Sequence, residues 1–132
     1  MIVVDASMAI SWLIEDDSSR ETESTLDFAT SKGSFVPGNF YSEITHALLK
    51  AERHGRIDDG IAASALDMIL SIRFTTEFPI QHVVLNLARA HGLTAYDASY
   101  LAVALQRGLP LATKDTHLRN IAQKLNLAWN IS

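Results

Sequence analysis

Residues 96–106 are apolar nearly all round, so a helix there has no face suited to water and must be covered from several sides. Gly108 closes it, since glycine accepts the left-handed conformation that ends helices. Around this segment, short apolar runs alternate with stretches of helical period. Ile2-Val3-Val4 reads as a buried strand that stops at Asp5. Ser34-Phe35-Val36, ended by Pro37-Gly38, reads as a second strand. Residues 74–78 and 109–113 read as two more, and 127–129 as a last one.

Helical period marks 6–15, broken by Asp16-Asp17-Ser18, and then a helix to about 31 with Ser18 and Glu21 as its capping box. In 40–54, Phe40, Ile44, Ala47, Leu48 and Ala51 share one face, and in 59–73 Ile61, Ala65, Met68, Ile69 and Ile72 do. Pro79 opens a helix that Gly92 closes, and 115–125 places Leu118, Ile121, Ala122 and Leu125 in register. Strands alternating with helices specify a three-layer α/β/α sandwich around a mainly parallel central sheet. The 132 residues suffice for one domain over 1–132 and are too few for two.

With no cysteine, the chain has no disulfide, thiolate nucleophile or thiolate-bound zinc, which fits a reducing cytoplasm. The amino terminus has no basic region before Asp5, unlike a signal peptide. No apolar run approaches the roughly 20 residues a membrane span needs, so no membrane partner is expected. The net charge of −4 is the wrong sign for bulk attraction to nucleic acid, so any such binding must be local.

Open α/β sheets bind ligands at the carboxyl ends of their strands. Asp5 ends the first strand, Glu43 lies in the first turn after the second, Asp97 opens the buried helix, and Asp115 follows 109–113. Four acids converging there would raise one another's pKa values, a cost that a hard divalent cation removes. Such a cation polarises phosphate oxygens and activates water. Each acid also has a simpler use. Asp5 and Asp115 suit N-caps, Thr94 and Asp97 suit a capping box, and Glu43 suits a helix amino end.

The residues around these acids form an ordered set: Val4-Asp5-Ala6-Ser7, Val36-Pro37 with Ser42-Glu43-Ile44, Thr94-Ala95-Tyr96-Asp97-Ala98-Ser99-Tyr100-Leu101-Ala102, and Leu109-Pro110-Leu111-Ala112-Thr113-Lys114-Asp115. Together, over essentially the whole chain, they resemble a PIN-domain nuclease of the VapC toxin type. The resemblance implies an endoribonuclease dependent on Mg²⁺ or Mn²⁺, a cognate antitoxin that blocks the site, and frequent homodimers. It implies Asp5, Glu43, Asp97 and Asp115 as metal-binding and catalytic acids, with Ser7 and Thr113 beside them. One departure is His46, where relatives often carry Asn.

Lys114 and Arg119 flank Asp115 and are candidates for holding substrate, with plain surface charge as the alternative. His46, Lys50 and Arg53 follow Glu43 along one polar face, a phosphate track or a solvated helix side. No HExxH spacing or P-loop is present. The remaining alternatives are a PIN-fold nuclease of RNA processing and a binding-only protein whose acids merely cap helices.

Overall fold

The first strand sits at the centre of the sheet because its three β-branched residues find cover on every side. The computed structural model describes residues 1–14 and 19–130. Their strands are β1 (Ile2–Val4), β2 (Ser34–Pro37), β3 (Thr75–Glu77) and β4 (Leu111–Ala112). The order is β3-β2-β1-β4 and every pairing is parallel. In β1 all three residues are buried. Val3 is in register with Leu111 and Val4 with Ala112, so the next residues, Asp5 and Thr113, leave the sheet side by side.

The helices are α1 (Ala6–Leu13), α2 (Arg20–Lys32), α3 (Phe40–Arg53), α4 (Asp59–Ser71), α5 (Gln81–His91), α6 (Ala95–Arg107) and α7 (Thr116–Lys124). The apolar segment is indeed the inner helix: Ala98 through Ala104 of α6 are buried without a break. It crosses β1, β2 and β4, and α5 packs on it. Ala98 and Ala102 let Val84 approach closely there. Elsewhere α1 packs on α2 and α3, α3 on α4, and α7 on β4. This is the expected α/β architecture. Gly108 ends α6 at φ 64°, in the left-handed region that favours glycine.

Several local expectations change. The break at 16–18, Ser18 included, lies outside the described residues, as does Glu15, and α1 ends at Leu13. The capping box of α2 is Ser19 with Thr22, each side chain accepting from the other's backbone N–H, rather than Ser18 with Glu21. In α4, Ile61 and Met68 are 49% and 41% exposed, because this helix packs mainly on α3 and buries only Ala65 and Ile69. Helix α5 starts at Gln81, with Ile80 as N-cap and Pro79 outside. The strand expected over 109–113 keeps two residues. Pro110 has no N–H to give a ladder, although its carbonyl accepts from Val3 N at 2.9 Å. Of 127–129, Ala128 makes one parallel bridge to Leu111.

Candidate metal centre

Asp5 caps α1 from the end of β1. Its Oδ1 accepts from Met8 N at 2.9 Å and from Ser7 Oγ at 2.8 Å, and its Oδ2 accepts from the Thr113 hydroxyl. Those hydroxyls are themselves held: Lys114 N donates to Ser7 Oγ at 2.9 Å, and Asp115 N donates to Thr113 Oγ1 at 3.0 Å. The turn after β4 is thus tied to the turn after β1 through one carboxylate. Asp5 is 4% exposed. Burial pushes its pKa up to about 6 although three hydrogen bonds pull it down, and the charge of Asp97 adds to the rise.

Glu43 stands in the first turn of α3, half-buried. Its Oε2 accepts from the Tyr100 hydroxyl at 2.6 Å and from Asn39 Nδ2. Both known donors meet the same oxygen. Burial raises the Glu43 pKa, these two bonds oppose the rise, and Asp97 adds to it. Tyr100, buried on α6, is held protonated well above its ordinary range, first by burial, then by its bond to Glu43 and the charges of Glu43 and Asp5.

Asp97 opens α6, where its N–H donates to Thr94 Oγ1 at 3.1 Å. Its pKa is raised by partial burial and next by the charge of Asp115, while Thr94 and His117 lower it. Asp97 therefore feels or perturbs all three other acids: it raises Asp5 and Glu43, and Asp115 raises it. Asp115 is exposed and caps α7, its Oδ1 accepting from Leu118 N at 2.8 Å. The capping roles foreseen for Asp5, Asp115 and Thr94 are real, and they coexist with the charge effects that link Asp97 to each of the other three acids.

The donor set suits a hard cation. It offers carboxylate oxygens alone, one group buried, two half-buried and one exposed, which matches an ion that keeps much of its water shell. Among the described residues no group of three or more His, Asp or Glu side chains is placed so that it could hold a metal ion as it stands. Direct ligation by three groups at once needs side-chain movement, whereas ligation through water needs less.

Asn39 and Tyr100 were missed in the sequence. Asn39 lies one helical turn before Glu43, and Tyr100 one turn after Asp97, so each shares a face with an acid. Those spacings were the available signal. Lys114, next to Asp115 in sequence, is exposed. Arg119 is engaged otherwise: its Nη2 donates to the Thr113 carbonyl at 2.7 Å and lies 3.5 Å from Glu21 Oε1. It braces the turn after β4. On α3, His46, Lys50 and Arg53 are all exposed, and His46 lines a pocket of about 510 Å³ that Glu43 also lines.

Comparison with known proteins gives a consistent answer. The PIN-domain family model matches residues 2–124. A curated relative, Exonuclease VapC9 of Pyrobaculum aerophilum, is 43% identical over 76 residues, which cover 58% of this chain and 57% of the relative. The match thus spans little more than half of that protein. The crystal structure of PAE2754 from Pyrobaculum aerophilum is similar at TM-score 0.71 and 30% identity, over 90% of this chain and 77% of that one. Mycobacterium tuberculosis VapC20, described as a sarcin-ricin loop cleaving toxin, shares the fold at TM-score 0.62 and 17% identity, over 92% and 95% of the two chains. FitAcB from Neisseria gonorrhoeae does so at TM-score 0.65 and 19% identity, over 93% and 94%.

Proposed function

The chain belongs to the PIN-domain family, and from that premise we propose that it is a metal-dependent endoribonuclease of the VapC toxin type. One observation carries the chemical part of this reading: Asp97 is electrostatically coupled to Asp5, Glu43 and Asp115, which come from three other element junctions. Carboxylates that raise one another's pKa values carry a cost that a divalent cation would remove.

Asp5, Glu43 and Asp97 would hold Mg²⁺ or Mn²⁺, with Asp115 completing the set, and the bound ion supplies charge to the scissile phosphate and acidity to an attacking water. The chain's own residues do the positioning. Ser7 and Thr113 direct both oxygens of Asp5 through their hydroxyls. Tyr100 and Asn39 engage Oε2 of Glu43 and leave Oε1 for the centre. Tyr100 keeps its proton on the hydroxyl throughout, as its raised pKa requires. Lys114, exposed and adjacent in sequence to Asp115, would be the cation to meet a phosphate.

On the same reading the chain is one PIN domain over 1–132, acting in the cytoplasm on RNA, paired as a homodimer and silenced by a cognate antitoxin. No helix among the described residues is long and apolar enough to cross a membrane. The 43%-identical relative bears the name of an exonuclease, so the mode of cutting needs direct mapping. Purified protein, free of antitoxin, is incubated with cellular RNA and Mn²⁺, and the new ends are mapped. Internal cuts that disappear in EDTA and in Asp97→Asn support the proposal. Trimming from the ends alone would make it an exonuclease, and metal-independent or absent cleavage would overturn it.

A further inference from the structure

We propose that the pocket beside Glu43 is a nucleobase subsite, in which Tyr96 stacks on the base next to the phosphate held at the acids. This rests on the nuclease reading above and names how its substrate is read.

The pocket, about 510 Å³, lies against the acids through one of them and two chain neighbours of others. Ala6 follows Asp5, Tyr96 precedes Asp97, and Glu43 itself lines the wall. Its size falls within the range of roughly 300–1,000 Å³ usual for small-molecule sites. Ala6 and Ala47 leave that space open, having no side chain beyond Cβ to fill it.

Charge decides what fits. Neither lysine nor arginine lines the pocket, a glutamate does, and the whole chain carries −4. A phosphate is disfavoured there, and a neutral flat ring is not. Tyr96 supplies the matching surface. It is 64% exposed although it sits in the first turn of the most buried helix, two residues from Ala98 at 0%. Packing does not account for a large aromatic ring at that place, whereas unstacked RNA bases are characteristically received on such rings. Ser42 and His46 add hydrogen-bonding groups able to read a base edge. A second hollow, lined by Tyr41, Ser42, Thr45 and His46, adjoins along α3 and shares two of those residues, so a following nucleotide has a path. His46, one turn after Glu43, thereby gains a use that the phosphate-track reading of α3 did not give it.

The test uses two readouts. Binding of short single-stranded RNA oligomers of each base is followed by fluorescence anisotropy in EDTA, and cleavage of a randomised RNA is sequenced with Mn²⁺ present. Wild type, Tyr96→Ala, Tyr96→Phe and His46→Ala are compared. Tyr96→Ala is expected to weaken binding about tenfold and to flatten the base preference beside the cut, and Tyr96→Phe to restore both. His46→Ala is expected to change which base is preferred. Unchanged affinity and unchanged preference in Tyr96→Ala overturn the subsite. If wild type cuts nothing, the nuclease reading fails, and the anisotropy arm still decides separately whether Tyr96 holds a base.

Discussion

The hydroxyl of Tyr100 donates to Oε2 of Glu43 at 2.6 Å, joining α6 to α3 across 57 residues of sequence. Tyr100 lies one turn beyond Asp97, so α6 presents one acid directly and fixes another through a phenol. Tyr100→Phe removes that donor and keeps the ring, whose burial supports the core. We expect the fold to survive, and Mn²⁺ affinity and cleavage to fall about 10- to 100-fold, as for other groups that orient metal ligands. Calorimetric titration with Mn²⁺ checks this. Tyr100→Ala should also cost about 3–5 kcal/mol of stability through the cavity it leaves.

Thr113 is 2% exposed and serves both neighbours, donating to Asp5 and accepting from Asp115 N. Thr113→Val strands a buried carboxylate oxygen and a backbone N–H. Urea denaturation should show a loss of about 2 kcal/mol, and Thr113→Ser should recover most of it. No loss in Thr113→Val would mean that the hydroxyl contributes nothing, and a loss in Thr113→Ser as large as that in Thr113→Val would mean that the methyl group matters as much as the hydroxyl.

The pKa of Asp5 is about 6 in the folded chain against 3.8 for the free group. Its contribution to stability is therefore fully present below pH 3.8 and is lost as pH rises through about 6. Glu43 and Asp97, also raised, act in the same direction. In metal-free buffer, the stability of Asp5→Asn relative to wild type should improve by up to about 3 kcal/mol between pH 4 and pH 7. Divalent metal opposes this trend, because its affinity rises as the same groups lose their protons. Denaturant midpoints across pH, with and without Mn²⁺, provide the measurement.

Arg119 and Lys114 should separate cleanly. Arg119 is engaged with the Thr113 carbonyl and Glu21, so Arg119→Ala should lower stability by about 1 kcal/mol and leave the salt dependence of RNA binding unchanged. Lys114→Ala should do the reverse, flattening that dependence by about one charge. A flattened slope for Arg119→Ala instead would return it to the substrate.

The inner helix, the order of strands and helices, and the parallel sheet were all legible in the sequence. Unbroken burial, β-branched runs and glycine stops are local signals, and Gly108 and Val3 obey them. Peripheral helix faces were not legible. Ile61 and Met68 fit an apolar stripe but stay exposed, because a period shows which side is apolar and not whether another layer covers it. The cap of α2 slid from Ser18 to Ser19, since neighbouring serines offer the same hydroxyl. Among site residues, the acids announced themselves by ending strands and opening helices. Tyr100 and Asn39 carry no charge, and their bonds to Glu43 exist only once α3 and α6 are brought together. That Arg119 meets the Thr113 carbonyl was not legible, because closeness in sequence to Asp115 does not show which oxygen a long side chain will meet.

The central claim, that four acids make one divalent-metal site, is tested most directly by titrating Mn²⁺ into wild type, Asp97→Asn and Glu23→Gln at pH 7.5 by calorimetry. Glu23 lies in the first turn of α2, outside the four acids, and serves as the control. Saturable binding in wild type and Glu23→Gln, lost or weakened at least tenfold in Asp97→Asn, is the predicted result. Equal binding by all three proteins, or none by wild type, would contradict it.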